Sequence, residues 1–119
     1  MPDYTKIIND ISRDWKLVDA QYAHDGTDVV FGNHKAGDTR VDKHYPARIG
    51  SIYTCLSFID KGRSVIMPYK KDARGRDKTG YVCTSPLVEV DLPEVVDGCK
   101  VRLRFTTMNT IYILESAGE

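Results

Sequence analysis

Residues 49–59 read IGSIYTCLSFI, and the fold class turns on this stretch. Ile52, Thr54, Leu56 and Phe58 alternate with Tyr53, Cys55, Ser57 and Ile59, and most of these side chains are β-branched or aromatic. A period of two in such residues predicts a strand that is at least partly buried on both faces. Asp60-Lys61-Gly62-Arg63 then reads as a turn, and residues 64–69 return as the next strand, with Pro68 marking an edge or a bulge.

Working toward the C-terminus, residues 70–80, KKDARGRDKTG, contain no apolar residue except Ala73 and predict an exposed loop. Residues 81–92, broken by Pro86, predict two short strands or one bent one, and residues 93–98 a connection. Residues 99–107 and 111–116 form a closing hairpin through Met108-Asn109-Thr110.

Working toward the N-terminus, residues 32–46 mix glycine and charge with little periodicity, which predicts a long loop with at most a short strand at 40–42. Asp25-Gly26, followed by Val29, Val30 and Phe31, reads as a hairpin turn between two strands. Tyr4, Ile7, Ile8, Ile11 and Trp15 fall on one face of a helix that ends near Asp14 or Trp15. Pro2 and Asp3 precede it, the carboxylate placed to accept from free N–H groups. The expectation is one α+β domain over residues 1–119. Its N-terminal amphipathic helix packs on a five- to six-stranded, mostly antiparallel sheet or a small open barrel.

Composition narrows the function classes. Lys plus Arg equals Asp plus Glu at 17 each, so no global field draws the chain to nucleic acid or to an anionic membrane, and any electrostatic function must come from local patches. Cys55, Cys83 and Cys99 are odd in number and form no Cys-x-x-Cys pair, which argues against a disulfide framework or a zinc finger and predicts three small buried hydrophobes in strands. MPDYTKIIND lacks the basic start and apolar run of a signal peptide, and no apolar stretch approaches a bilayer span. The expected location is the cytoplasm, with no cofactor.

Between positions 61 and 80, seven basic residues (Lys61, Arg63, Lys70, Lys71, Arg74, Arg76 and Lys78) face only Asp72 and Asp77. Arginines around a glycine can present guanidinium forks and backbone N–H groups to phosphate oxygens. The plainer reading is a charged hairpin tip that keeps the fold soluble. Tyr69 and Tyr81 bracket this loop and could stack on a base, or could be amphipathic residues at the core edge. Arg102 and Arg104 alternate with Val101, Leu103 and Phe105, so both lie on one face, where with Asn109 they could grip a charged ligand or could simply pair with Glu115.

His24, His34 and His44 sit in loop-like segments near aspartates, without a compact metal-ligand spacing. His44 with Tyr45, Arg48 and the basic loop leaves open a small ribonuclease-type acid–base site. The candidate ligand-binding set is Tyr69, Arg74, Arg76, Lys78, Tyr81, Arg102, Arg104 and Asn109, with no catalytic or metal residue assigned.

Thr84-Ser85-Pro86-Leu87-Val88 followed by residues 104–112, RFTTMNTIY, resembles a recurring element of small phage and bacterial proteins of uncharacterised function. In its size, N-terminal helix and β-rich C-terminal half the chain is also similar to the phage sponge proteins that counter the Thoeris defence by sequestering cyclic ADP-ribose isomers. That resemblance implies a phage origin and a non-enzymatic homo-oligomer with nucleotide pockets lined by Arg, Asn and an aromatic ring. Two other classes stay open: a phage inhibitor of a host nuclease or polymerase, and a small RNA-cleaving enzyme.

Overall fold

The computed structural model describes residues 3–11 and 14–117. About half of the described residues lie in antiparallel strands and few lie in helices. The elements in order are α1 (Thr5–Ile11), β1 (Asp14–Tyr22), β2 (Gly26–Asp28), β3 (Gly32–His34), α2 (Tyr45–Arg48), β4 (Ile52–Thr54), β5 (Ser64–Lys71), β6 (Tyr81–Val90), β7 (Glu94–Val96), β8 (Lys100–Thr107) and β9 (Thr110–Ser116). The main sheet has seven strands in the order β6-β5-β4-β1-β9-β8-β7, and β2 and β3 form a separate two-stranded ladder. β6 pairs with β5 through residues 81–86 and with β8 through residues 87–90, so the pairing returns on itself. Pro86 lies where β6 passes from one neighbour to the other, a position where its missing N–H is tolerated.

The core is one cluster built from inward-facing strand residues, among them Trp15, Leu17, Tyr53, Met67, Leu103, Phe105 and Leu114, with Ile8 of α1 buried among them. β1 buries Trp15 and Leu17, then Ala20 and Tyr22, because a bulge between Leu17 and Asp19 inserts one residue and shifts the phase of the alternation.

The expected helix is shorter than its apolar stripe, because Trp15 pairs in ladders with Tyr53 and Ser116. α1 stops at Ile11, and Trp15, expected at the end of its apolar stripe, is a buried strand residue instead. Ser12, Arg13 and Pro2 lie outside the described residues. Ile7 and Ile11 stay exposed while Ile8 enters the core. Asp3 does accept the Thr5 N–H, at 2.8 Å.

The expected strand over 49–59 is shorter, because β4 ends at Thr54. Cys55 and Phe58 then adopt left-handed φ values of 50° and 63°, and the buried residues become Tyr53, Leu56 and Ile59, three apart rather than two. α1 takes the place of a neighbouring strand here: Asn9 Nδ2 donates to the Leu56 carbonyl, the Tyr4 N–H to the Ile59 carbonyl, and Ile59 N–H to Thr5 Oγ1. Ser57 keeps a bridge to Ile66 of β5, exchanging N–H to carbonyl bonds of 3.0 and 3.1 Å, so the segment's backbone groups are shared between the N-terminal segment and β5.

Asp25-Gly26 is not a hairpin turn between β1 and a following strand. β2 begins at Gly26 and pairs with β3 across a turn at Val29, Val30 and Phe31. The expected loop over 32–46 contains β3 and leads into α2, and the expected connection over 93–98 contains β7 and its turn. In that turn Asp97 and Gly98 both have positive φ, 51° and 80°, a conformation these two residue types tolerate. Cys55, Cys83 and Cys99 are exposed free thiols rather than buried hydrophobes.

Candidate ligand-binding site

The loop between β5 and β6 is shaped by Asp72. Its Oδ1 accepts the N–H groups of Arg74 and Arg76 at 2.9 and 3.0 Å, so the loop wraps around its own carboxylate. Those N–H groups, that of Arg76 foremost, with the nearby Arg76 and Lys78 charges, hold the Asp72 carboxyl below the usual carboxylate range. Arg74, Arg76 and Lys78 line one concavity of about 460 Å³ with Pro46, Ala47, Asp72 and Ala73. None of the three cations is ion-paired to a carboxylate among the described residues. Lys71 and Lys70 differ, being bridged to Asp77 and Asp14.

The remaining residues of the candidate set lie elsewhere. Lys78 Nζ sits 4.5 Å from the centre of the Tyr69 ring, and Tyr69 packs against Tyr53 with ring centres 4.7 Å apart. The neighbours of Tyr69 are thus a cation and another ring. Tyr81 is cross-strand partner to Pro68, whereas Tyr69 is one residue further along β5, so the two tyrosines face opposite sides of the sheet. They do not form a clamp.

Arg102 and Arg104 share the outward face of β8 as the alternation requires, but each is neutralised: Arg102 by Glu115 at 2.8 Å and Arg104 by Asp91 at 3.0 Å. They line a separate hollow of about 190 Å³ with Leu92, Glu94 and Ile113. Asn109, in the β8–β9 turn, belongs to a third concavity.

That third concavity, of about 410 Å³, is lined, apart from Asn109, by residues outside the candidate set. Its wall is a stack. The His34 ring lies 3.6 Å from that of Tyr22 with an interplanar angle of 9°, and the Arg40 guanidinium carbon lies 5.0 Å from the Tyr22 ring centre and 4.2 Å from that of Tyr45. Arg40 is only 8% exposed; it grips Asp42 through Nε at 3.0 Å and Nη2 at 2.6 Å, and Nη1 donates to Thr110 Oγ1 and to the Asn109 carbonyl.

Arg40 hydrogen bonding therefore holds the Asp42 carboxyl low, and burial pushes the Tyr22 hydroxyl up. His24 Nε2 donates to the Met108 carbonyl at 2.8 Å, and Lys43 stands at the rim with a left-handed φ of 54°. Only the i, i+2 spacing of Arg40 and Asp42 signals this pair in the sequence, since it puts both side chains on one side of an extended segment.

α2 stands between the two larger concavities, giving Tyr45 to one and Pro46 and Ala47 to the other. No group of three or more His, Cys, Asp or Glu side chains suited to a metal occurs among the described residues, and no described helix is long and apolar enough to cross a membrane. Comparison with protein-family models, with curated proteins and with solved structures yields no match.

Proposed function

We propose that this is a non-enzymatic binding protein that captures a phosphate-bearing small molecule of nucleotide type in the concavity lined by Arg74, Arg76 and Lys78. The observation that carries the reading is that these three cations share one hollow with no carboxylate partner among the described residues, while the one acid lining it, Asp72, turns an oxygen toward the loop's own N–H groups. Positive charge left unpaired in a hollow supplies charge-assisted donors to phosphate oxygens. An acid held ionised is suited to shaping the loop and not to proton transfer.

Tyr69 stands at the edge of this site beneath Lys78, whereas Tyr81, Arg102, Arg104 and Asn109 fall outside it. In this reading the ligand is a signalling nucleotide, and the chain is phage-encoded, like the proteins it resembles. It acts in the host cytoplasm by lowering the free concentration of that ligand.

The test is thermal unfolding and calorimetry with a panel of cyclic mononucleotides, cyclic dinucleotides and ADP-ribose derivatives. A ligand present at about 100 times its Kd adds about 2.7 kcal/mol to stability, and it should be recovered chemically intact. Arg74→Glu/Arg76→Glu should remove the shift. If no member of the panel moves the transition of the wild-type protein, or if the ligand is returned cleaved, the reading fails.

A further inference from the structure

Three consecutive apolar side chains stand in water at the tip of the β2–β3 hairpin. Val29, Val30 and Phe31 are 102%, 79% and 53% exposed. The turn that carries them is held: Asp28 Oδ1 accepts the N–H groups of Val30 and Phe31 at 2.8 and 3.1 Å, Thr27 Oγ1 donates to Asn33 Oδ1 at 2.8 Å, and His34 is stacked on buried Tyr22. A preorganised run of uncovered apolar residues is unusual on a folded surface and marks a docking element.

The hairpin is acidic on its flanks, with Asp25 before β2 and Asp28 at its end, and Asp38 hydrogen-bonded to the Lys35 N–H at its base. Such flanks are repelled by an anionic bilayer surface. They are matched by a surface of this same chain, the concavity lined by the apolar Pro46, Ala47 and Ala73 together with Arg74, Arg76 and Lys78.

We propose that the 29–31 tip of one copy seats in this concavity of a second copy, the apolar side chains against Pro46, Ala47 and Ala73 and the Asp25 and Asp28 carboxylates toward the cations. The formal net charge of +0 means that two copies do not repel one another as wholes. Tip and concavity are different surfaces, so reciprocal exchange closes a dimer and one-way insertion builds a chain. The inference rests on the same three cations as the nucleotide reading, so a seated tip and a bound anion exclude one another.

Analytical ultracentrifugation over a concentration series at low salt tests it. Wild-type protein should sediment above the 13.4 kDa of one chain and fall back toward that mass as salt rises. Val29→Ser/Val30→Ser/Phe31→Ser, which alters only exposed side chains, and Arg74→Glu/Arg76→Glu should each sediment as single chains. Mixed in equal amounts they should associate, because each supplies the surface the other lacks.

A wild-type protein that stays at single-chain mass overturns the proposal. So does a tip variant that associates as well as wild type, a mixture that does not associate, or a tip that binds phosphatidylglycerol vesicles while the protein stays a single chain. Calorimetry with the same nucleotide panel separates the two readings. Nucleotide binding by a wild-type protein that stays a single chain removes only the self-association, and tip-dependent association without nucleotide binding removes only the ligand.

Discussion

Arg40 and Asp42 show what one pair of charges contributes once it leaves water. Every nitrogen of the guanidinium donates a hydrogen bond, and its carbon lies 5.0 and 4.2 Å from the ring centres of Tyr22 and Tyr45. Taking one member away strands the other, so Asp42→Asn should lower stability by about 3 kcal/mol near neutral pH, read from the urea midpoint. The same pair gives a pH signature. The carboxyl of Asp42 is held below its ordinary range in the folded protein, so the unfolded chain binds that proton more readily. The stabilisation is complete above the unfolded value, near pH 4, and is lost as pH falls through the lower folded value. Wild-type stability should therefore drop in acid more steeply than that of Asp42→Asn. Equal acid slopes in the two proteins would remove this account.

Among the elements, the β8–β9 hairpin carries its own lock. Thr107 is buried, and its Oγ1 both donates to the Thr110 carbonyl at 3.2 Å and accepts the Thr110 N–H at 3.3 Å, closing the turn over Met108 and Asn109. Thr107→Val keeps the shape and deletes both bonds, leaving a buried N–H without its partner, and should cost about 1 to 2 kcal/mol. Met108→Ser, at an exposed position of the same turn, should stay within about 0.5 kcal/mol. Chemical denaturation of both variants checks the contrast, and equal losses would show that the hydroxyl does not lock the turn.

This hairpin was legible in advance because its two strands are adjacent in the chain and its turn chemistry is local. The Asp-Gly signal was less dependable: at positions 97–98 it marks a real hairpin turn inside an expected connection, whereas at 25–26 it only precedes the first strand of the hairpin whose turn is at 29–31. A dipeptide sets φ preferences; which strands flank it is decided by the ladders available.

For the molecule as a whole, positive charge is distributed unevenly in its pairing rather than in its amount. Lys70, Lys71, Arg102, Arg104 and Arg40 are bridged to carboxylates, and Arg74, Arg76 and Lys78 are left with none among the described residues. Anion capture by exposed cations should weaken with salt. Between about 0.15 M and about 1 M the Debye length shrinks from about 8 Å to about 3 Å, and nucleotide affinity measured by calorimetry should fall about tenfold or more. The cations of β8, already paired, should matter little: Arg102→Gln should leave the affinity unchanged. Salt-independent binding would point to a ligand held without these cations.

The chain's alternation, its turn residues and its charge runs were enough to specify antiparallel β-structure, the 60–63 turn, the exposed loop expected over 70–80, whose first two residues instead extend β5, and the closing hairpin, because each depends on neighbours within a few residues. The ladders to β4 and β9 that make Trp15 a strand residue, the N-terminal segment and helix that share the 56–59 backbone with β5, and the choice of which cations find a carboxylate required the tertiary structure. Pairings such as Lys70 with Asp14 or Arg40 with Thr110 join residues far apart in the chain. No local pattern encodes the register that brings them together, and it is this register that separates a neutralised arginine from one free to hold a ligand.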